Sequence, residues 1–403
     1  MLDFSFQNPT KIIFGRGKIA RLSKEILKNK KILLTYGGGS IKNNGVYDQV
    51  HTALSGYKVF EFGGIEPNPS FETLMNAVEL ARTEKVDYIL AVGGGSVIDG
   101  SKFIAAAIHF EGDPWDILAK HAGLQKVVPL ATVLTLPATG SEMNSGAVVS
   151  RKSTQEKLAF HSPLIFPQFS ILDPTTTFTL PLRQTTNGIV DAFVHVMEQY
   201  LTYPVDAPLQ DRFSEGILQT LIEEGPKALT TPHDYNVRAN IMWSATLALN
   251  HLLSMGVPGD WTTHMIGHEI TAEYGLDHAQ TLAIVLPSVM YVKRDEKQEK
   301  IIQYAKRVWN IGPADAREAL LKLHPEDADS ETAITNKIIE LAIAKTRQFF
   351  ESLGAKTNLS DYGIDSNSVS ILLGRLEQHG MVKLGEKGSV TLATSKEILE
   401  NCL

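Results

Sequence analysis

The chain has 403 residues, which is enough for two domains of ordinary size. Apolar residues make up 43% and charged residues 21%, a balance typical of folded globular proteins. The formal net charge of −7, without a long block of Lys and Arg, argues against nucleic acid as the main partner, because phosphate neutralisation needs a clustered basic face. Cys402 is the single cysteine, so no intramolecular disulfide forms and nothing indicates an oxidising compartment.

The chain shows no targeting or membrane signal. Its first nine residues have neither a basic start nor an apolar run of signal-peptide length. The longest apolar stretch, residues 282–292, is interrupted by Pro287 and is far shorter than the roughly 20 residues that span a bilayer. We therefore expect a cytoplasmic protein.

The first part of the chain alternates between strand-like and helix-like segments. Buried strands are predicted over residues 31–36, 86–92 and 127–136, and a helix over residues 71–84, where apolar residues recur at helical spacing. The order strand, helix, strand implies parallel pairing and an α/β sheet.

The composition of the sequence changes at residues 173–181, where proline and threonine indicate a linker. Beyond it, strand signals fade and long helical patterns dominate. The predicted helices cover residues 185–201, 210–229, 237–253, 261–274 and 334–353. We therefore predict a dinucleotide-binding α/β domain over residues 1–181 and a helical domain over residues 182–403.

Two glycine turns follow predicted strands. In residues 92–99 a strand leads through three glycines into a helix, where free N–H groups and the hydroxyl of Ser96 are suited to a phosphate. The segment has neither the G-x-G-x-x-G spacing nor the Gly-Lys-Ser/Thr of a P-loop, so a tight turn without a ligand is the alternative. Residues 37–40 form a second such turn in the same predicted sheet. Two turns at strand ends favour a nucleotide over chance.

Residues 135–144 follow the third predicted strand and are rich in small hydroxyl side chains. Ser141 is not framed as G-x-S-x-G, which excludes a serine hydrolase of that type. An ordinary polar loop is the alternative to a cofactor contact.

A carboxylate and a histidine share one face of a predicted helix. Asp191 and His195 are four residues apart and their neighbours are almost all apolar, which predicts a buried helix. A buried carboxylate requires a cation or a metal ion as a partner. A simple buried hydrogen bond between Asp191 and His195 is the alternative.

A second cluster contains three histidines. His264 and His268 are four residues apart on a predicted helix, and His278 is placed on the loop or turn beyond it. A zinc protease of the H-E-x-x-H type is excluded, since Ala272 stands where that motif needs its second histidine. One carboxylate and three imidazoles suit Zn²⁺, Fe²⁺ or a similar ion rather than Mg²⁺ or Ca²⁺. The candidate ligands are Asp191, His195, His264 and His278.

These motifs together resemble the iron-containing (group III) alcohol dehydrogenases over essentially the whole chain, and within them the branch of butanol dehydrogenases and NADPH-dependent aldehyde reductases. The matching stretches are residues 8–15, 36–40, 63–69, 93–99, 136–142, 191–195, 264–268 and 277–280.

The resemblance implies a Rossmann-like α/β N-terminal domain and an all-α C-terminal domain, as in the dehydroquinate synthase-like fold. It also implies a homodimer and a metal ion, Fe²⁺ or Zn²⁺, in the cleft between the domains. The family's metal ligands fall on Asp191, His195, His264 and His278. The family's cofactor contacts fall on Gly37, Gly38, Gly39, Ser40, Asn68, Gly94, Gly95, Ser96, Asp99, Thr135, Thr139, Ser141, Asn144 and Lys157.

One position distinguishes the cofactors. NAD-specific relatives carry an acidic residue where this chain has Gly39, and a carboxylate there bonds the ribose 2′-hydroxyl and repels a 2′-phosphate. Gly39, with Ser40 and Lys42 beside it, leaves space and donors for the phosphate. We therefore expect NADP(H), although glycine also permits NAD.

The resemblance implies a metal-dependent alcohol dehydrogenase, or aldehyde reductase, acting on short to medium aldehydes and primary alcohols. The ligand set suits polarisation of an aldehyde oxygen, and NADPH would deliver hydride. His268 matches a family histidine near the metal and the nicotinamide, and we assign it a proton-transfer role. The alternatives are an NAD-linked polyol dehydrogenase or a metal-dependent lyase of the same superfamily, and a nucleotide-binding sensor without catalysis.

Overall fold

The structure is a computed structural model that describes residues 1–403, and the chain divides into two compact units. The unit that we call the sheet unit comprises Phe6–Gly188 and Thr230–His251. The unit that we call the helical unit comprises Met1–Ser5, Ile189–Leu229 and Leu252–Leu403. The sequence predicts an α/β N-terminal part and a helical C-terminal part, and this fold class is confirmed.

The sheet unit is built on six parallel strands. These strands are β1 (Lys11–Phe14), β2 (Lys31–Tyr36), β3 (Lys58–Phe62), β4 (Tyr88–Gly94), β5 (Leu130–Leu136) and β8 (Phe169–Leu172), and they lie in the order β1-β8-β5-β4-β2-β3. An antiparallel hairpin consists of β6 (Gly146–Arg151) and β7 (Glu156–His161). The helices of this unit are α1 (Leu22–Glu25), α2 (Ser40–Asn43), α3 (Val46–Ala53), α4 (Phe71–Glu84), α5 (Gly95–Ala107), α6 (Asp116–Ala119) and α9 (Tyr235–Ala248).

The central strands are apolar on both faces because the parallel sheet has a core on each side. Along β2, Leu33 belongs to one hydrophobic cluster, whereas Ile32 and Leu34 belong to the other. Successive side chains of a strand point to opposite faces, so the alternation assigns each cluster to one face of the sheet. This arrangement fixes β2, β4 and β5 side by side, with their carboxyl ends at one edge.

All the predicted strands and the predicted helix of this unit are present, and two of the strands start later than predicted. Helix α4 has the predicted bounds, and Ser70 caps it by accepting a hydrogen bond from the Thr73 N–H. Strand β4 begins at Tyr88 rather than residue 86, because the N–H of Val86 donates to the Ala81 carbonyl at the end of α4. Strand β5 begins at Leu130 rather than residue 127, directly after Pro129, which has no N–H to donate.

The predicted linker at residues 173–181 is an ordered part of the sheet unit. It contains a 3₁₀ turn, Pro174–Thr177, in which Thr176 and Thr177 are buried. The Asp173 carboxylate caps this turn by accepting from the Thr175 N–H at 3.0 Å, and it also accepts from the Gly17 N–H. Threonine and aspartate here stabilise a packed turn rather than a flexible connection.

The helical unit carries the remaining elements. Helix α7 (Leu182–Tyr200) enters this unit at Ile189. The others are α8 (Pro208–Thr230), α10 (Thr262–Tyr274), α11 (His278–Val292), α12 (Gln298–Val308), α13 (Pro313–Leu323), α14 (Glu331–Ser352), α15 (Asn367–Gln378) and α16 (Leu392–Asn401), with the short strands β9 (Lys383–Leu384) and β10 (Val390–Thr391). A core of α10, α11, α15 and α16 residues includes Ile266, Ile284, Leu372 and Leu399.

Two expectations for this part of the chain are wrong. The predicted helix over residues 237–253 is α9, which ends at Ala248 and belongs to the sheet unit rather than the helical unit. His278 is the first residue of α11, not part of a loop or turn. Asp277 caps that helix in a reciprocal pair with Gln280. The apolar stretch at residues 282–292 is therefore helical across Pro287, and none of the helices is long and apolar enough to span a membrane.

Candidate active site

Helix α7 places a carboxylate and an imidazole on one buried face. Asp191 is 3% exposed and His195 is 4% exposed, and both lie among fully buried apolar neighbours such as Ala192 and Phe193. The His195 Nδ1 lies 3.6 Å from the Asp191 Oδ1, as the spacing of four residues predicts.

Two further helices bring histidines to this face. One potential ligand atom from each of Asp191, His195 and His264 lies within 4.8 Å of the others. His278 completes the predicted set from the start of α11, since its Nε2 lies 3.8 Å from the Asp191 Oδ1 and its ring centroid 5.2 Å from that of His264. Its side chain is 22% exposed, so it forms the more open side of the cluster. All four predicted ligands therefore converge.

This donor set fits a divalent metal ion of the first transition row. The rings of His195 and His264 are stacked with centroids 4.6 Å apart beside one buried carboxylate. Neutral imidazoles and a carboxylate that meet in a buried space satisfy one another best through a shared cation. Nitrogen-rich ligation of this type is suited to Zn²⁺ or Fe²⁺ and not to Mg²⁺ or Ca²⁺.

His268 lies beside the cluster, one helical turn after His264. Its ring centroid is 5.1 Å from that of His278 and 6.3 Å from that of His264. It is not one of the three residues, Asp191, His195 and His264, whose ligand atoms all lie within 4.8 Å of one another. His278 is also outside that set, but its Nε2 lies 3.8 Å from the Asp191 Oδ1. This position is compatible with the predicted proton-transfer role, which stays a prediction.

Sequence reasoning missed Glu198, which contacts the predicted ligand His264. The Glu198 carboxylate accepts from the Thr263 N–H at 2.6 Å through Oε1 and contacts the His264 Nδ1 through Oε2. Since Nδ1 faces this carboxylate, Nε2 is the His264 nitrogen available to a metal ion. A signal was present in the sequence, because Glu198 follows Asp191 by seven residues and so shares its helix face.

The surroundings of Glu198 favour its neutral form. Burial raises the pKa of Glu198 well above its ordinary value, and the negative charge of nearby Asp260 acts in the same direction. A nearby cation would lower the pKa of Glu198 again. A metal ion bound to His264 would therefore stabilise the ionised Glu198 carboxylate, and the carboxylate would in turn stabilise the bound ion.

The predicted nucleotide contacts collect at one edge of the sheet unit. Residues 37–40 and 137–141 directly follow β2 and β5, and residues 94–96 form the junction at which β4 leads into α5; these three strands are adjacent in the sheet. Helix α5 begins at Gly95, so the N–H groups of its first turn face this edge, which is suited to binding a phosphate. Ligands of open α/β sheets bind at such carboxyl ends.

Close packing explains the glycines after β4. A Cβ on Gly93 would lie 2.6 Å from the Val97 side chain, and a Cβ on Gly95 would lie 2.5 Å from the Thr139 Oγ1. Gly39 is different, because a Cβ there would meet nothing within 4 Å, although its φ of +96° disfavours any side chain. There is therefore open space beside Gly39, where the sequence predicts the 2′-phosphate.

Three predicted contacts form one polar group. The Lys157 Nζ donates to the Asn68 Oδ1 at 2.9 Å, and the Asn68 N–H donates to the Ser96 Oγ at 3.3 Å. The structure thus brings the β7 lysine and the loop asparagine to the start of α5. Thr135, in contrast, is a buried residue of β5 itself.

A second group organises the loop after β5. The Ser141 hydroxyl donates to the Asp99 Oδ1 at 2.5 Å, and the Val148 N–H donates to its Oδ2 at 3.0 Å. Lys102, which sequence reasoning missed, is fully buried and donates to the carbonyl and the Oδ1 of Asn144, both at 2.9 Å. Burial lowers the pKa of Lys102 to about 8, and the charges of Asp99 and Glu142 oppose the effect.

The fold and this pair of sites define a class. The model of the iron-containing alcohol dehydrogenases matches residues 9–174, and that of the Fe-containing alcohol dehydrogenase family, C-terminal, matches residues 185–399. The chain belongs to the iron-containing alcohol dehydrogenase family, as its motifs predict.

Two individual relatives show which members of the family the chain is similar to. The chain is 57% identical over 403 residues to the NADPH-dependent aldehyde reductase YqhD of Escherichia coli K12, covering 99% of each chain. It is 43% identical to the probable NADH-dependent butanol dehydrogenase 1 of Bacillus subtilis, covering 94% of this chain and 95% of the relative.

Solved structures agree with this placement. The crystal structure of Escherichia coli YqhD matches with a TM-score of 0.94 at 55% identity, covering 100% of this chain and 99% of that one. The NADH-dependent butanol dehydrogenase A of Thermotoga maritima matches with a TM-score of 0.90 at 34% identity, covering 100% and 99%. The predicted family branch is confirmed.

Proposed function

We propose that this chain is a metal-dependent alcohol dehydrogenase that reduces short to medium aldehydes with NADPH. The observation that carries the proposal is the convergence of Asp191, His195, His264 and His278 in the helical unit. A divalent ion held there supplies a Lewis acid for a carbonyl oxygen, and NADPH supplies the hydride. The name of the 57% identical relative supports both the cofactor and the aldehyde.

The residues of the helical unit prepare the site. The Glu198 carboxylate fixes the ring of His264, so that its Nε2 is presented to the ion. Apolar neighbours exclude water from Asp191 and His195, which strengthens electrostatic interactions at the site. Reduction of an aldehyde to an alcohol takes up one proton besides the hydride, and His268 would pass this proton from solvent to the product oxygen, a task suited to an imidazole.

The residues of the sheet unit favour the phosphorylated cofactor. The N-terminus of α5 would hold the pyrophosphate, because its first N–H groups have no partner within the helix, and the open space at Gly39 would accommodate the 2′-phosphate. Lys42 contributes a positive charge close by, because its N–H donates to the Gly39 carbonyl at 3.0 Å. Its Nζ lies 5.0 Å from the ring centroids of both Tyr36 and Tyr47. No carboxylate at position 39 repels the phosphate.

The identity of the bound metal and the oligomeric state are part of the same proposal. Zn²⁺ binds such a site more tightly than Fe²⁺ does, so we expect purified protein to carry zinc unless iron is supplied in excess. We also propose a homodimer, as the family resemblance implies. Light scattering coupled to size exclusion tests this directly, and a mass of one chain would refute it.

The function is tested by following NADPH oxidation with butanal. Metal-stripped protein is compared before and after addition of Zn²⁺ or Fe²⁺, with NADH in parallel. We expect consumption that requires the metal and is faster with NADPH. Turnover with glycerol and NAD alone would favour a polyol dehydrogenase, and NADPH binding without consumption under any condition would favour a sensor.

A further inference from the structure

Lys297 is a buried ammonium group that the proposed chemistry does not use. It directly precedes α12, and its side chain is only 3% exposed. Its Nζ donates to the Leu201 carbonyl at 2.6 Å and to Glu386 at 3.0 Å, and it lies 2.6 Å from the Asp260 Oδ2. Burying a charge requires such partners, and here each of the three ammonium protons has one.

These partners connect the ends of two of the three helices that carry the proposed metal ligands. Leu201 directly follows α7, which holds Asp191 and His195. Asp260 lies just before α10, which holds His264. One ammonium group therefore joins the C-terminal end of the first helix to the N-terminal end of the second.

Asp260 extends the link to the metal ligand. Its Oδ1 accepts from the Thr262 N–H at 2.9 Å, and its own N–H donates to the Glu198 carbonyl at 2.9 Å. Glu198 in turn binds the Thr263 N–H and the His264 ring. The path from Lys297 to His264 thus consists of contiguous hydrogen bonds and one ion pair.

The turn that Asp260 holds is not favoured locally. Trp261 has a φ of 62°, in the left-handed region that residues with a side chain disfavour. The start of α10 therefore depends on contacts such as that with Lys297. Burial opposes the charge of Lys297, but Asp260 and Glu386 outweigh burial and raise its pKa, so the ammonium persists at neutral pH.

We propose that Lys297 is a positioning residue for the metal site, which sets the start of α10 relative to the end of α7 and so aligns His264. The inference rests on the metal site proposed above. Loss of the ammonium releases the Asp260 turn, and His264 then binds the ion in a poorer geometry.

Lys300 provides a matched control on α12. Its Nζ lies 2.5 Å from the Asp211 Oδ1, and its side chain is 8% exposed. This pair is also a lysine–carboxylate contact with a buried lysine, and it connects α12 with α8, which carries no metal ligand. The Lys300 Nζ also lies 4.3 Å from the ring centroid of Tyr200 at the end of α7, so Lys300 touches that end without joining it to the start of α10. A general loss of buried charge affects both lysines, whereas a positioning role affects Lys297 alone.

The experiment measures Co²⁺ binding to metal-stripped wild type, Lys297→Met and Lys300→Met. Affinity is obtained by competition with a chromophoric chelator, and the visible absorption of bound Co²⁺ reports its coordination geometry. For Lys297→Met we expect affinity about 10-fold weaker, with an altered spectrum. This is the lower end of the range for direct partners of metal ligands, because Lys297 acts through Asp260 and Glu198. Lys300→Met retains the wild-type affinity and spectrum.

Each other outcome overturns the inference. Wild-type affinity and spectrum in Lys297→Met, or an equal loss in Lys300→Met, refute the positioning role while the metal site stands. A wild-type chain that takes up no Co²⁺ refutes the metal site together with the inference. Should Lys297→Met not fold by circular dichroism, Asp260→Asn decides, because it removes the ion pair and keeps the lysine. Undiminished Co²⁺ affinity in folded Asp260→Asn overturns the proposal.

Discussion

Replacing Glu198 with glutamine tests the least expected part of the metal site. With a metal ion on the His264 Nε2, the Glu198 carboxylate accepts two hydrogen bonds, one from the Thr263 N–H and one from the protonated His264 Nδ1. A glutamine of the same shape has a single acceptor oxygen and an NH₂ group that only donates. If its oxygen stays with Thr263, the NH₂ faces His264 and drives the ring proton to Nε2, the nitrogen that the metal ion needs.

The size of the expected loss in Zn²⁺ affinity follows from the hydrogen bond to His264 that the substitution removes. Hydrogen bonds to charged groups contribute about 1.5–3 kcal/mol, and a tenfold change in affinity corresponds to about 1.4 kcal/mol. We therefore expect Glu198→Gln to weaken Zn²⁺ binding by about 10- to 100-fold, the range seen for other partners of metal ligands. Competition with a chromophoric chelator on metal-stripped protein measures this value.

Glu215→Gln is the matched control for this substitution. Glu215 is also a buried carboxylate of the helical unit, and it accepts from the Tyr200 hydroxyl at 2.8 Å and from Arg307 at 3.0 Å. It contacts none of the four ligands. Equal Zn²⁺ affinity in wild type and Glu198→Gln, or an equal loss in Glu215→Gln, would show that the His264 contact does not govern the site.

Further predictions concern the cofactor, the proton and the thiol. Gly39→Asp should lower kcat/KM for NADPH by about tenfold or more, through repulsion of the 2′-phosphate. Gly45→Asp, with a comparable φ of +80° and open space, should not, so equal losses would indicate backbone strain alone. His268→Ala should lower kcat by about 10²-fold and flatten its pH profile while Zn²⁺ affinity holds, and unchanged turnover would remove its proton-transfer role. Burial raises the pKa of the Cys402 thiol to about 12, so Ellman's reagent should label it at mildly alkaline pH only after unfolding in urea. Rapid labelling of the folded chain would contradict this burial.

The proximity of Asp191 and His195, two of the predicted metal ligands, follows from the sequence because helix geometry is a local property. Residues four apart share a helix face, so Asp191 and His195 indicate a common site in the sequence itself. The start of α11 could also have been predicted from the sequence, since Asp277 and Gln280 form a capping box that makes His278 a helical residue. Placing His278 on a loop or turn overlooked this signal without changing the predicted ligand set.

The membership of α9 was not predictable from local pattern. Helical periodicity predicts a helix but does not say against which core it packs. Here the Thr246 hydroxyl donates to Glu142 at 2.5 Å, and the Arg238 Nη1 donates to the Thr185 hydroxyl at 3.0 Å. These contacts join residues 104 and 53 positions apart, and they place the helix in the sheet unit. Glu198 and Lys297 acquire their roles through similarly distant partners.

Residue type within a motif predicts that a position matters, but its partners determine how. Asn144 matches a cofactor contact of the family, yet its Oδ1 accepts from the Lys102 Nζ and the Gly146 N–H, and its Nδ2 donates to the Leu249 and Thr139 carbonyls. An amide side chain offers two acceptor and two donor positions, so all of them are used within the sheet unit. We therefore expect Asn144 to affect NADPH binding through the shape of the loop that it holds. Because Lys102 holds the same loop through Asn144, replacing either residue should weaken NADPH binding to a similar extent.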